Sequence, residues 1–241
     1  MRFVILFVSS FVFAGAAAAQ QPAAGQQPKG PFSGKVAAGY LATSGNTDST
    51  NANASLGFLY KPDSWSHQFD LNAVRATNEQ VTTAEAYSFS YEGKRKTGKK
   101  SYIFASLQWD SDRFSAYEHS WAEAGGYGWE LLSTPKQALD AEVGAGARQA
   151  LRIDGVKENE GILRGSLSYT LAVNSTTDFK QSIGITSGSS NTYFESVSEL
   201  DAHLFGAVSL VLSYRLKHNS IVLPGKTNTD RFTAISLQYA F

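Results

Sequence analysis

Cysteine is absent from the 241 residues, methionine occurs once, proline six times, and only 17% of the chain is charged. Without cysteine there is no disulfide framework, no thiolate metal site and no cysteine nucleophile. Neither sign of charge is in surplus: 21 basic and 21 acidic residues leave a formal net charge of +0. Nucleic-acid binders declare themselves by excess lysine and arginine, so no nucleic-acid partner is expected. Long apolar runs are missing too, with one exception at the amino terminus. What is abundant is glycine (21), phenylalanine (15) and tyrosine (11). That mixture suits strands and tight turns better than helices.

The exception begins after Met1 and Arg2 and runs from Phe3 to Ala19, closing on Ala17-Ala18-Ala19. A short positive start, an apolar middle and small closing residues describe a secretory signal over 1–19, cut after Ala19. The polar, proline-punctuated stretch 20–31 has nothing to bury and reads as a flexible periplasmic lead-in. No later segment approaches the length of a membrane helix, so a membrane-spanning form of this chain must cross with strands.

From Phe32 onward the pattern has period two. Ile235, Leu237, Tyr239 and Phe241 alternate with Ala234, Ser236, Gln238 and Ala240; Val208, Leu210, Leu212, Tyr214 and Leu216 alternate with smaller or polar neighbours. Such alternation means amphipathic strands. Twelve segments can be counted across 32–241. The breaks between them carry turn chemistry, as in Lys61-Pro62-Asp63, Lys96-Thr97-Gly98 and Ser133-Thr134-Pro135. A soluble barrel would turn the apolar rows inward and a membrane barrel would turn them to lipid. Aromatics gathered toward strand ends (Tyr40, Tyr60, Trp65, Trp109, Trp129), an export signal and a closing aromatic favour the second. The expected fold is therefore all-β, a transmembrane antiparallel up-and-down barrel of about 12 strands. An even strand number puts both ends of the barrel domain on the periplasmic side, with longer loops outside around Ser44–Ser49, Thr77–Thr83, Ser111–Glu118, Gln149–Glu158, Gly188–Ser190 and Asn219–Asn228.

The ending, Tyr239 two residues before Phe241, resembles the carboxy-terminal signature of Gram-negative outer-membrane barrels. That resemblance implies the barrel-insertion machinery as a partner through the last strand, and outer-membrane lipid and lipopolysaccharide as surroundings. More narrowly, Ser44-Gly45-Asn46-Thr47-Asp48-Ser49, Trp65, Asp112-Arg113-Phe114 and Gly125-Gly126-Tyr127-Gly128 resemble a family of uncharacterised barrels described as salt-induced outer-membrane proteins (domain of unknown function 481). The resemblance spans about 32–241 and implies a fold and an outer-membrane location. It brings no activity and no catalytic residues.

With the apolar rows on lipid, the inward rows hold Asp70, Glu92, Asp140, Glu142, Arg148, Arg164, Asp178, Lys180, Glu195, Glu199, Asp201, Arg215 and Lys217. Arg164 with Asp178, and Glu199 with Arg215, lie on neighbouring strands and are expected to pair. Two readings of these charges stand: bracing of the interior, or the lining of a narrow water path. Chemistry elsewhere is sparse. His119 beside Ser120 is the one adjacent base and hydroxyl, but neighbouring strand residues point to opposite faces. Asp110 and Asp112, with Glu118, are expected as solvated carboxylates at an outer loop. No phosphate-binding loop or calcium loop is present, and no cofactor or metal site is expected. The leading expectation is a passive channel or structural envelope barrel connected with osmotic or salt stress, not an enzyme. Its alternatives are a rim-active hydrolase and a surface-binding protein using its outer loops.

Overall fold

The computed structural model describes residues 31–43, 49–115, 117–222 and 227–241. The expected signal and nearly all of the lead-in, like most of the Ser44–Ser49 motif, lie outside these residues. Twelve strands follow one another: β1 (Phe32–Thr43), β2 (Ser49–Tyr60), β3 (Trp65–Asn78), β4 (Val81–Lys96), β5 (Ser101–Asp112), β6 (Tyr117–Ser133), β7 (Gln137–Arg152), β8 (Lys157–Ala172), β9 (Thr177–Gly188), β10 (Thr192–Phe205), β11 (Val208–Asn219) and β12 (Thr229–Ala240). Each pairs antiparallel with its neighbours in sequence, and β1 pairs with β12 to close the barrel.

The register gives the barrel its dimensions. Followed around the barrel from Val36 through Leu56, Leu71, Phe89, Trp109, Trp121 and Gln149, it returns to β1 displaced by about 16 residues. For twelve strands that stagger means a tilt of about 42° and a backbone cylinder roughly 25 Å across.

The faces are inverted relative to a soluble protein. Leu163, Ile235 and Leu237 are 67%, 64% and 57% exposed, whereas Arg215 and Glu195 are each 3% exposed. Large apolar side chains stay uncovered because lipid, not protein, is their solvent. The charged rows turn inward because a cation on lipid at mid-membrane costs roughly 2–4 kcal/mol.

Several outer loops are shorter than expected, because the strands run on past the point where their sequence alternation weakens. Thr77–Thr83 is a hairpin whose turn is only Glu79 and Gln80, with φ of 49° and 64°. Two positive φ values match the twist of a two-residue hairpin. Gln149–Glu158 is likewise mostly strand, with Gly155 at φ 81° in its turn. At the opposite end, which carries the chain ends of the barrel, Gly206 takes φ 56° between β10 and β11. The closing seam is brief: pairing runs from Lys35↔Ala240 to Ala38↔Leu237. Phe241 secures it by exchanging two backbone hydrogen bonds with Gly34, at 2.7 and 2.8 Å. Its ring covers Gly34 so closely that a Cβ there would sit 2.5 Å from Cζ.

Candidate functional site in the lumen

The inward face of β6 is a floor of small residues: Ala122, Ala124, Gly126 and Gly128. A Cβ on Gly126 would strike the Val143 carbonyl and the Phe104 ring, and one on Gly128 would enter the Tyr102 ring. Tyr102 and Phe104 of β5 therefore bury themselves against this floor, 5% and 4% exposed. The two rings in turn carry cations. Lys94 Nζ stands 4.9 Å from the Tyr102 ring centre and the Arg164 guanidinium 5.3 Å from that of Phe104.

Four charges meet above these rings. Lys94 contacts Glu92 at 3.0 Å and Glu142 at 2.7 Å, while Arg164 contacts the same carboxylates at 3.2 and 3.7 Å. Tyr102 and Ser166 each donate to Glu142 at 3.0 Å, and Arg164 donates to Ser106 at 2.8 Å. Glu92 and Arg164 sit on β4 and β8, so the tie passes inside the wall over β5, β6 and β7. Two acids balance two bases, which is the condition for keeping such charges half out of water.

A second group lies toward the far end. Arg215 and Glu195, on adjacent strands, pair at 3.3 Å with their side chains 4% exposed. Lys217 feels Glu195 and also, from across the lumen, Asp110 and Asp112 of β5. At the far rim Arg148 is paired with Glu160, which also accepts the Ser190 amide at 2.7 Å and the Ser189 hydroxyl at 3.0 Å.

The end carrying the chain ends is different in kind. Lys180 pairs with Asp201 at 3.4 Å, and Gln238 donates to Asp201 at 3.2 Å. Asp178 stands directly opposite Asp201 in the β9–β10 register. Asp70 accepts from Gln68 at 2.8 Å. Among the described residues, no cation lies within 4.0 Å of the half-buried carboxylates of Asp70, Asp178 or Glu199.

Every charge expected inside faces inside, yet the expected partners differ. Arg164 does not pair with Asp178: Arg164 is opposite Thr186, and Asp178 is opposite Ala172, eight residues along the strand. Arg215 pairs with Glu195 rather than Glu199, which is opposite Ser213. Asp110 and Asp112 are not loop carboxylates, because β5 extends through Asp112 and both face inward. Ser120 and Asp110 face inward directly opposite each other, whereas His119 points outward and is parted from both. Among the described residues no cluster of three or more histidine, aspartate or glutamate side chains could hold a metal ion.

A lumen lined with charge inside a lipid-facing twelve-strand barrel is an outer-membrane design, and comparison with known proteins agrees. A family model described as "Protein of unknown function, DUF481" matches residues 36–241. The chain belongs to that family. A relative by sequence is the uncharacterised protein YdiY of Escherichia coli (strain K12), 26% identical over 213 residues, covering 88% of this chain and 84% of its own. Two solved structures share the fold. An outer membrane channel from Pseudomonas putida F1 superposes with a TM-score of 0.54 at 12% identity, over 92% of this chain and 98% of its own. The NanC porin gives 0.50 at 13% identity, over 86% and 97%. At such identities the likeness extends to the barrel and not to its contents.

Sequence reasoning missed Lys94, Tyr102 and Phe104. A usable signal existed for Lys94, which shares the parity of Glu92 two residues earlier and so had to face the same way. Tyr102 and Phe104 share the parity of Ser106, Gln108 and Asp110, so the alternation of β5 already turns them inward, but it does not show what they pack on. Their packing needs the glycines of β6 and β7, which lie in other strands.

Proposed function

We propose that this DUF481 barrel is a narrow passive channel for small hydrophilic solutes, with the chain ends of the barrel in the periplasm. The observation that carries this reading is a set of half-buried carboxylates with no cation in direct contact: Asp70, with Lys35 nearby, and Asp178 and Glu199, which share Lys180 with Asp201. A carboxylate removed from water and left unpaired costs several kcal/mol, about the penalty that breaks a buried ion pair. These three therefore need water beside them, which supports a hydrated lumen over that end. Asp178 opposite Asp201 adds to it, since like charges directly across a strand pair repel and the single Lys180 beside them balances only one of the two. The Glu92–Lys94–Glu142–Arg164 cluster is then the constriction of the path rather than a seal. Acids outnumber bases in the hydrated half, so the channel favours cations over anions.

The test is the reversal potential of the refolded protein in a planar bilayer under a potassium chloride gradient. A cation preference that weakens when Asp70 and Glu199 are both changed to asparagine and glutamine supports the reading. A preference for anions overturns it. The sidedness is tested separately, by labelling single cysteines placed at Lys99 and at Gly155 in intact cells with an impermeant reagent. Labelling at position 155 and not at 99 is expected.

A further inference from the structure

Cations are gathered on one half of a single rim. At the end carrying the chain ends, the β2–β3 turn holds Lys61, the β4–β5 hairpin holds Arg95, Lys96, Lys99 and Lys100, and the β6–β7 turn holds Lys136. All six are exposed, Lys61 over the mouth of the lumen near Lys94 and Asp140, and the others around the rim. The acids among them are few: Asp63 is in the first turn, Asp140 lies near Lys61, and Glu130 is engaged on the inner face by Lys96 at 3.2 Å. The other two described turns at this end, Val173–Thr176 and Gly206–Ala207, carry no charge. In a chain of formal net charge +0 this arc is a placement, not a reflection of overall basicity.

Its depth is marked by aromatic side chains on the lipid face. Phe32 and Tyr60 stack at 4.5 Å, Tyr60 and His67 at 6.0 Å, and His67 and Tyr91 at 6.2 Å; His67 Nδ1 also meets the Tyr91 hydroxyl at 3.0 Å. Trp65 stacks on His67 at 5.7 Å, and Trp129 meets Tyr127 edge-on at 5.0 Å. Belts of this kind sit at the boundary between hydrocarbon and headgroups. Arg95 is directly opposite Trp65 in the register, on the lipid face, with its guanidinium 5.4 Å from that ring. It is thus held at the boundary by its ring partner, and the lysines of the turns begin one to five residues farther out. With about 2.4 Å of axial rise per residue at this tilt, they span the phosphate layer. From β2 to β7 the arc measures roughly 30 Å around the barrel, wide enough for several headgroups.

We infer that the rim from β2 to β7 is a binding surface for anionic phospholipid headgroups of the leaflet that surrounds this end. The planar, weakly hydrated guanidinium of Arg95 suits a phosphate bidentately, and the lysines supply mobile point charges around it. A polymer or protein carrying carboxylates would meet the turn lysines, but Arg95 on the lipid face beside Trp65 is reached from the bilayer. The inference rests on the membrane-spanning arrangement alone and is independent of whether the lumen conducts.

The experiment measures retention of phosphatidylglycerol and phosphatidylcholine by the refolded protein in neutral detergent micelles, using native mass spectrometry. At low salt, phosphatidylglycerol is expected to be retained about tenfold or more over phosphatidylcholine, since each basic residue near an anionic surface adds appreciably to affinity. The joint variant K61Q/K99Q/K100Q/K136Q, with folding confirmed by its heat-dependent gel mobility, should lose most of that preference. The same four positions changed to arginine should keep it. Should the glutamine variant not fold, raising salt to about 0.5 M, where the screening length is only about 4 Å, should erase the preference of the unaltered protein. Equal retention of the two lipids by the unaltered protein, a preference that survives both the glutamine changes and salt, or displacement of the lipid by soluble cell-wall fragments at equal concentration would each overturn the inference.

Discussion

The wall from β4 to β8 and the seam between β12 and β1 solve the same problem with different chemistry. In the wall, β7 pairs with β8 from Gln137↔Leu171 to Leu151↔Lys157, and β6 with β7 over a similar length. Ion pairs then tie β4 to β7 and β8 over the glycine floor. In the seam the pairing covers four residue pairs, and the contact is finished by one aromatic ring over Gly34. The wall joins strands close in sequence, so its contacts can form early and locally. The seam joins residues some two hundred positions apart and bears a larger loop-closure cost. Long register and buried charge collect where closure is cheap, and the seam relies on a short, outward-facing clasp.

The sharpest way to break this contrast is to remove the hub of the wall. Glu142→Leu leaves Lys94 and Arg164 each without one of two carboxylates and should cost about 3–5 kcal/mol in urea-induced unfolding followed by heat-dependent mobility. If the wall is instead held by backbone pairing alone, the midpoint will hardly move. Next in size is the clasp. Phe241→Ala removes a ring that is only partly covered, so about 1–2 kcal/mol is expected, with slower appearance of the folded band during refolding. A loss as large as that of Glu142→Leu would erase the distinction between wall and seam. In the other direction, cysteines at Val36 and Tyr239, directly opposite across the seam, should cross-link on oxidation. The cross-link should raise the temperature at which the folded band disappears, and an equivalent pair at Leu139 and Tyr169 in the wall should raise it less. The smallest effect belongs to His119→Ala. This side chain points outward and away from Ser120, so stability and conductance should stay within about 0.5 kcal/mol and experimental error.

Much of this architecture could be read from alternation. Twelve strands and the inward face of Asp70, Glu142, Arg164, Asp178, Lys180, Glu199 and Arg215 followed from period two, because parity along a strand decides the face. Pairing did not follow. Parity says nothing of depth, and a stagger of about 16 residues moves a neighbour far along the barrel. Arg164 therefore finds Glu92 four strands away rather than Asp178 on the next strand. Asp110 and Asp112 were misplaced for a related reason: carboxylates at a strand end look like loop residues until their partners on the opposite wall, among them Lys217, are known. The glycines of β6 were legible as places of tight packing, but what they accommodate, Tyr102 and Phe104, belongs to the neighbouring strand.

The central claim is that the Glu92–Lys94–Glu142–Arg164 cluster narrows a hydrated path. The direct test compares single-channel conductance of the heat-modifiable protein with that of Arg164→Ala in the same bilayer and salt. Discrete steps are expected for the unaltered protein, and larger ones for Arg164→Ala, because the substitution removes the side chain that crosses over β5 to β7. A folded protein that is silent in both forms would contradict the claim and leave the cluster as a brace.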